Sequence, residues 1–526
     1  MRKKISCLLI ILAALVGNMS CSVSKGQSVT PATVQPKIVS DITALNEAIA
    51  LAKPGDVIIM NDGEWNNEVI DFNATATANA PVILKAKTPG KVLLTGSSRL
   101  TFSRPYLQVD GLYFTRGSIK GNTVIEFKSD YGKLTNTAVV DYNPADKAAS
   151  YYWVFFNGNH NKMEHCFFKG KNHMQPVVGN NQDNSRHNTV AYCHFKDIPH
   201  SPENGREIFR IWGYGRSEET GDDGAFFTIE NNLFERAHGE GSEIVSLKSN
   251  RNIVRYNTIV STKGGITNRS GNFNTIEGNF VFGNNEKGTS GIRIAGQGHR
   301  VFNNYISDVT GDGLIIMSGE YIDTFLTDKY EPILRAGTPL GRVPRYGHVK
   351  NALFGNNTIV NVGGLGMNVG SSYNASPGTD QRVLIPENNR IVNNIVYKTK
   401  QAGVGITVTT PNQKAPLDRF SFKPNLFEGN ISFGSDSNTI SNGIIVANPM
   451  LALKDGLYRP SAGSIAIDRA VEIDIKDDID GQPRKGKIDI GADEASATKL
   501  IRKPLTENDA GAVWVIQLRK AGSKVF

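Results

Sequence analysis

One short phrase, repeated about once per solenoid turn, limits what this chain can fold into more than any other feature. It reads His165-Cys166-Phe167-Phe168, Tyr192-Cys193-His194-Phe195, Asn231-Asn232-Leu233-Phe234, Tyr256-Asn257-Thr258-Ile259, Gly278-Asn279-Phe280-Val281 and Asn303-Asn304-Tyr305-Ile306. Later copies fall at Asn357, Asn394 and Asn430. From Cys166 the anchor advances by 27, 39, 25, 22 and 25 residues, a period that belongs to solenoids built from turns of short strands. Val, Ile, Phe and Thr fill the phrases and Gly, Asn and Asp flank them, so each reads as a strand leaving a tight turn. The expected fold is all-β: a single right-handed parallel β-helix. Leucine-rich repeats share the period, but their regularly spaced leucines are missing. Stacked asparagines bond the backbone and amide of neighbouring coils, which explains them without invoking function. Cys166 and Cys193 hold the same position in earlier coils and read as buried packing residues rather than a disulfide.

The ends are equally legible. Met-Arg-Lys-Lys followed by an apolar run from Leu8 to Val16 is the pattern of a bacterial export signal, too short for a membrane span. Gly17-Asn18-Met19-Ser20-Cys21 leaves two readings open: lipoprotein processing with Cys21 as the lipidated N-terminus, or ordinary signal cleavage nearby. Leu45, Ala48, Ile49 and Ala52 follow helical spacing before Lys53-Pro54-Gly55, which predicts a capping helix near Ala44 to Ala52. The expected division is a signal at 1–20, a flexible tether at 21–37, the β-helix at 38–495 and a C-terminal extension at 496–526 packing on it. The expected location is the periplasm or outer membrane of a Gram-negative bacterium. Ser318 to His348 interrupts the repeat, since Asn304 and Asn357 lie 53 residues apart, and such loops often border a groove.

The formal charge of +8 falls to +5 once Arg2, Lys3 and Lys4 leave with the signal, because residues 1–20 hold no acid. A mildly basic exported protein suits an anionic partner, and no nucleic-acid motif is present. An anionic partner is therefore expected, with membrane contact only through a lipid on Cys21, and the chain is expected to be a monomer. Two cysteines within the fold exclude a cysteine-based metal framework.

Aligning the anchors exposes a pattern that folding alone does not require. Lys248 lies 9 residues before Asn257, Arg269 lies 10 before Asn279, and Arg293 lies 11 before Asn304. Adjacent coils sit about 4.8 Å apart, so these cations are expected to form a basic row. An isolated basic residue is usually a solvated charge paired with an acid such as Glu243 or Glu277. A row of three like charges instead asks for an anionic ligand, and uronate carboxylates provide one. Cleavage beside a uronate by β-elimination removes the C5 proton, which lies alpha to the carboxylate, and expels the 4-linked oxygen. It needs charge neutralisation, a base and an acid. Lys248 suits the base if neighbouring cations depress its pKa. Arg269 fits the acid less readily, because a guanidinium seldom releases a proton.

These residues resemble polysaccharide lyase family six, the β-helix group of alginate lyases and dermatan-cleaving chondroitinase B. The resemblance runs through Lys53-Pro54-Gly55-Asp56, Asp62-Gly63-Glu64-Trp65, Pro81-Val82-Ile83-Leu84-Lys85-Ala86 and Val109-Asp110-Gly111-Leu112-Tyr113-Phe114. Its more specific core is Glu203-Asn204-Gly205-Arg206-Glu207, Glu243-Ile244-Val245-Ser246-Leu247-Lys248-Ser249 and Asn268-Arg269-Ser270-Gly271-Asn272. The resemblance implies that Lys248 is the catalytic base and Arg269 the acid. It also implies a calcium ion held by Asn204, Glu240 and Glu243, an oxygen donor set suited to that ion. In the family the two glutamates are separated by one residue, whereas Glu240 and Glu243 are separated by two; Ser270 stands where the family usually has histidine. Arg210, Ser270, Arg293, His299 and Tyr305 are the expected substrate contacts. Gly291-Ile292-Arg293-Ile294 leans toward the alginate lyase members.

Alginate is thus the expected substrate. Dermatan sulfate is the alternative, with Arg335, Arg342 and Arg345 supplying cations for sulfate. A non-catalytic glycan-binding solenoid would keep the basic row without needing Lys248 in particular, and an epimerase would change sugar composition without shortening chains. Asp468, Asp480-Gly481-Gln482-Pro483-Arg484 and Asp489-Ile490-Gly491-Ala492-Asp493-Glu494 resemble a motif that closes exported β-helices.

Overall fold

Each turn of the chain adds one short strand to each of three parallel sheets, of 14, 12 and 14 strands. The computed structural model describes residues 36–213, 224–320, 346–375, 382–397, 405–409, 422–433, 443–496 and 498–523. The expected export signal, Cys21, Arg335, Arg342, Arg345 and most of the interrupting loop lie outside the described residues. The parallel β-helix expected from the repeat is the fold observed.

Alternation explains how so short a strand holds its place. Val82–Ala86 alternates inward Val82, Leu84 and Ala86 with outward residues, and its neighbour Leu107–Asp110 continues the pattern. One continuous apolar core therefore runs from Val39 to Phe427. Inside it, Phe102, Phe127 and Phe156 stack with ring centroids 4.5 and 4.6 Å apart, as the strand spacing dictates.

The asparagine anchors do what the spacing predicts. Asn257 Oδ1 accepts from both the backbone N–H and the side-chain amide of Asn232, at 3.0 Å each. The same exchange repeats from Asn257 to Asn279, Asn304, Asn357, Asn394 and Asn430. Cys193 opens this ladder, its N–H donating to Asn232 Oδ1 at 2.9 Å, and both Cys166 and Cys193 are buried and free.

A second ladder, not read from the sequence, runs along another corner. Asn161 donates its N–H to Asn188, Asn252 to Asn274, and Asn274 to His299 Nδ1 at 3.2 Å. His299 is therefore a rung. Its Nε2 lies 3.1 Å from the Ala295 carbonyl, and burial pushes its pKa down to about 4.

The termini close the solenoid. The expected cap is an α-helix over Ile42–Leu51, two residues earlier at its start, with Asp41 accepting from the Ala44 N–H at 2.8 Å. Leu45, Ala48 and Ile49 bury its inner face against the first coils. At the other end Arg459 bridges Asp480 and Asp493, and Arg484 pairs with Glu494 at 2.8 Å and donates to Asn303 at 3.2 Å. The closing motif thereby clamps coils of the third sheet. The chain then returns to an α-helix over Val513–Lys520, where Trp514 donates to the Asn136 carbonyl at 2.8 Å and packs with Ala138 and Phe167.

Candidate active site

The chemistry-bearing side chains gather on the second sheet. Phe209–Trp212, Glu243–Lys248, Gly264–Asn268 and Thr289–Ile294 are consecutive strands in it. Trp212 is opposite Lys248, and Leu247 is opposite Asn268, so Lys248 and Arg269 follow one another across two strands. Arg293 is opposite Thr267, two residues earlier, which corrects the single row expected from the anchors. The turn between strand and anchor differs in length from coil to coil, so counting back from the asparagines slips. A shift of two residues keeps Arg293 on the same face of the sheet. Arg210, opposite Ser246, joins it there.

Lys248 is almost completely buried, at 7% exposure. Its Nζ lies 3.3 Å from Glu207 Oε1 and 4.8 Å from the centre of the Trp212 ring. Its pKa is lowered, chiefly by burial; Arg210 and Arg269 push the same way, and Glu207 and Glu243 oppose them. The neighbouring cations expected to depress it are thus the smaller cause.

Glu207 is the residue that sequence reasoning passed over. It is fully buried and binds Arg210 through both oxygens, with its shortest contact 2.8 Å. Burial alone would raise its pKa, but Arg210 and Lys248 hold it below the usual carboxylate value. It lay within the phrase that carried the family resemblance, and only the fold brings it to Lys248. Glu243 accepts from Ser246, pairs with Arg293 at 2.6 Å and lies 4.0 Å from Arg269. One carboxylate thus fixes two of the three expected cations.

Glu240 completes the cluster. It accepts the Gly205 N–H at 2.6 Å, and its pKa is raised by burial and by repulsion from Glu207 and Glu243. Oxygens of Glu207, Glu240 and Glu243 all lie within 4.8 Å of one another. Asn204, expected beside them, is exposed in the loop one residue before Gly205. Ser270 is half-buried next to Arg269, its N–H donating to the Leu247 carbonyl at 3.3 Å. Beside the carboxylates opens a cleft of about 180 Å³, lined by Ser242, Thr267, Ser290 and Arg293 among others.

Two expected substrate contacts are corrected. His299 is an interior rung of the second ladder, 1% exposed. Tyr305 belongs to the third sheet, 2% exposed, and its hydroxyl accepts the Tyr458 N–H at 3.0 Å beneath the C-terminal segment. Both side chains satisfy the fold rather than a ligand.

The family model for chondroitinase B matches residues 39–474. The chain belongs to polysaccharide lyase family six. This lyase is 54% identical to the family-six polysaccharide lyase Pedsa3628 of Pseudopedobacter saltans, with 91% of this chain and 99% of that one covered and a TM-score of 0.75. It is 27% identical to the family-six alginate lyase AlyGC, over 91% of this chain and 59% of that one, with a TM-score of 0.72. A mannuronic-acid-specific family-six lyase from the human gut microbiota is also 27% identical, over 76% and 87% of the two chains, with a TM-score of 0.62. No curated protein matches the lyase.

Proposed function

We propose that this lyase cleaves alginate by β-elimination, with Lys248 as base and Arg269 as acid. The observation that carries the reading is a buried lysine with a lowered pKa, beside an arginine on the next strand, both facing Glu243. The neutral Lys248 amine takes the C5 proton of a uronate. The electron pair left behind forms the C4–C5 double bond as the C4–O4 bond breaks. Arg269 hydrogen-bonds the departing oxygen while charge develops on it and delivers the proton with which it leaves as a hydroxyl, a proton that solvent returns to the guanidinium as Lys248 releases its own. Glu207, itself held by Arg210, contacts the lysine amine, and the Trp212 ring lies beneath that amine. Alginate is favoured because two of the relatives named above act on alginate or its mannuronic acid. Dermatan sulfate would need extra cations for its sulfate, for which the sequence offers Arg335, Arg342 and Arg345. The proposed setting is outside the cytoplasm, with the N-terminal apolar run as its support.

The donor set fits calcium. Three carboxylates converge, and among the described residues no basic side chain forms an ion pair with Glu240. Glu240, with Glu243 beside it, would hold the ion, while Glu207 stays committed to Arg210 and Lys248. When bound it would neutralise the uronate carboxylate and so acidify the C5 proton. Treatment with a chelator is expected to slow turnover at least about tenfold, with calcium restoring it. An unchanged rate would remove the ion from the account.

Cleavage should follow the protonation of Lys248. Only the neutral amine accepts a proton, so activity should rise with pH along a limb below the ordinary lysine value of about 10.4. Glu207 stabilises the ammonium form, so Glu207→Gln should move that limb to lower pH. A shift upward would contradict the assignment. Poly-mannuronate, poly-guluronate and dermatan sulfate, each followed by the ultraviolet absorbance of unsaturated uronate, decide the substrate. Product from dermatan sulfate alone would overturn the alginate reading.

A further inference from the structure

The interior behind Lys248 and Arg269 breaks its own pattern at one place. Ile211, Leu247, Asn268, Ile294 and Ile316 are successive partners across the second sheet, and all five are fully buried. Four are aliphatic, as a dry core favours, and one is an amide. An amide in such a column is costly unless its polar atoms find partners, whereas valine or isoleucine would serve the fold without that cost. Asn268 is also the residue directly before Arg269.

Three bonds account for this amide. Its Nδ2 donates to the Gly271 carbonyl at 3.0 Å, inside the turn that begins with Arg269, and to the Ala295 carbonyl of the next coil. Its Oδ1 accepts from Asn274 Nδ2 at 2.6 Å. That same Asn274 amide donates to the Ser249 carbonyl at 3.0 Å, and Ser249 directly follows Lys248. Elsewhere in this ladder, Asn188 and Asn252 donate instead to a serine three residues earlier, Ser185 at 2.8 Å and Ser249 at 2.9 Å. At Asn274 that place is Gly271, whose φ is +124° and where a Cβ would collide with the Ser249 carbonyl oxygen. The two turns are pressed together there, and Asn268 takes the hydrogen that a serine takes in the other coils. In front, the Arg269 and Ser270 N–H groups both donate to the Leu247 carbonyl, at 3.0 and 3.3 Å.

We propose that Asn268 is a positioning residue: through Gly271, and through Asn274 to Ser249, it fixes the Arg269 turn against the turn that follows Lys248 and so sets the separation of base and acid. The proposal rests on the Lys248–Arg269 reading above and deepens it. Asn268 is shut inside the solenoid and touches neither substrate nor reacting atoms. It acts through the two side chains that do, where a misplacement of about 1 Å costs on the order of a hundredfold in rate.

Asn268→Val restores the aliphatic column and removes all three bonds. With poly-mannuronate, well below the melting temperature, its kcat should fall at least about tenfold while KM stays within about threefold, because the groups that bind the polymer are untouched. Hydrogen exchange at the backbone amides of residues 269–272 should quicken at least about tenfold, while the amides of Asn232 and Asn257 keep their rate. Should Asn268→Val fail to fold, Asn268→Ala leaves room in the core, loses the same bonds and is read in the same way. A variant that melts earlier yet keeps its kcat, or whose 269–272 amides exchange at the wild-type rate, overturns the proposal and leaves Asn268 as core filling. Absence of unsaturated product from the wild-type protein would sink the alginate reading instead, and the exchange rates would still decide whether Asn268 holds the turn.

Discussion

Lys248→Ala is expected to lower turnover of the uronate polymer by about a thousandfold or more, near the upper range for a lost general base. The melting curve should barely move. Lys248 is buried against Trp212 and Glu207, and its removal would be damaging if it left a bare carboxylate behind. Arg210 prevents that, because it holds Glu207 through both oxygens whether or not the lysine is present. Chemistry and folding are therefore separable at this position. Lys248→Arg should not rescue activity, since a guanidinium stays protonated at any working pH. Substantial turnover by either variant, measured by new reducing ends, would assign the base elsewhere.

Asn279→Ala should cost about 3 kcal/mol or more, because a ladder rung serves both neighbours. Asn279 Oδ1 accepts two hydrogen bonds from Asn257, at 3.1 and 3.0 Å. Its amide donates to Asn304 at 2.9 Å and to the Val254 carbonyl at 3.0 Å. Alanine removes all four of these bonds and leaves the Asn257 backbone N–H without its acceptor in a dry interior, although Asn304 Oδ1 still accepts the residue 279 N–H and the Asn257 amide still reaches the Ile229 carbonyl. Thermal melting should drop by several degrees and lose sharpness as coils on either side uncouple. A melting temperature matching the wild type would mean that the ladder follows the fold rather than supporting it.

The difference between what the sequence disclosed and what it hid lies in the distance over which each signal acts. The asparagine anchors recur at one position per coil, so a single chain displays the ladder, the strands and the parallel sheets at once. Lys248 and Arg269 stood out because they keep nearly constant spacing to those anchors. Arg293 was placed one row wrongly because turn lengths vary between coils, a variation that the anchor alone does not reveal. Glu207 escaped because its meaning comes from pairing with Lys248, 41 residues later. His299 looked like a ligand because an imidazole near a groove suggests chemistry. Its position after the strand, matching Asn252 and Asn274, was the sign that it replaced an asparagine rung.

The claim on which the account rests is that Lys248 draws the proton from C5 while Arg269 helps the oxygen on C4 to leave. Proton NMR of a digested oligomannuronate tests it most directly, with wild-type protein and Lys248→Ala run side by side. The account predicts one vinyl proton on C4 of a new non-reducing end for every new reducing end from the wild type, and neither from the variant. New reducing ends without vinyl protons, or vinyl protons forming at wild-type rate in the variant, would contradict it.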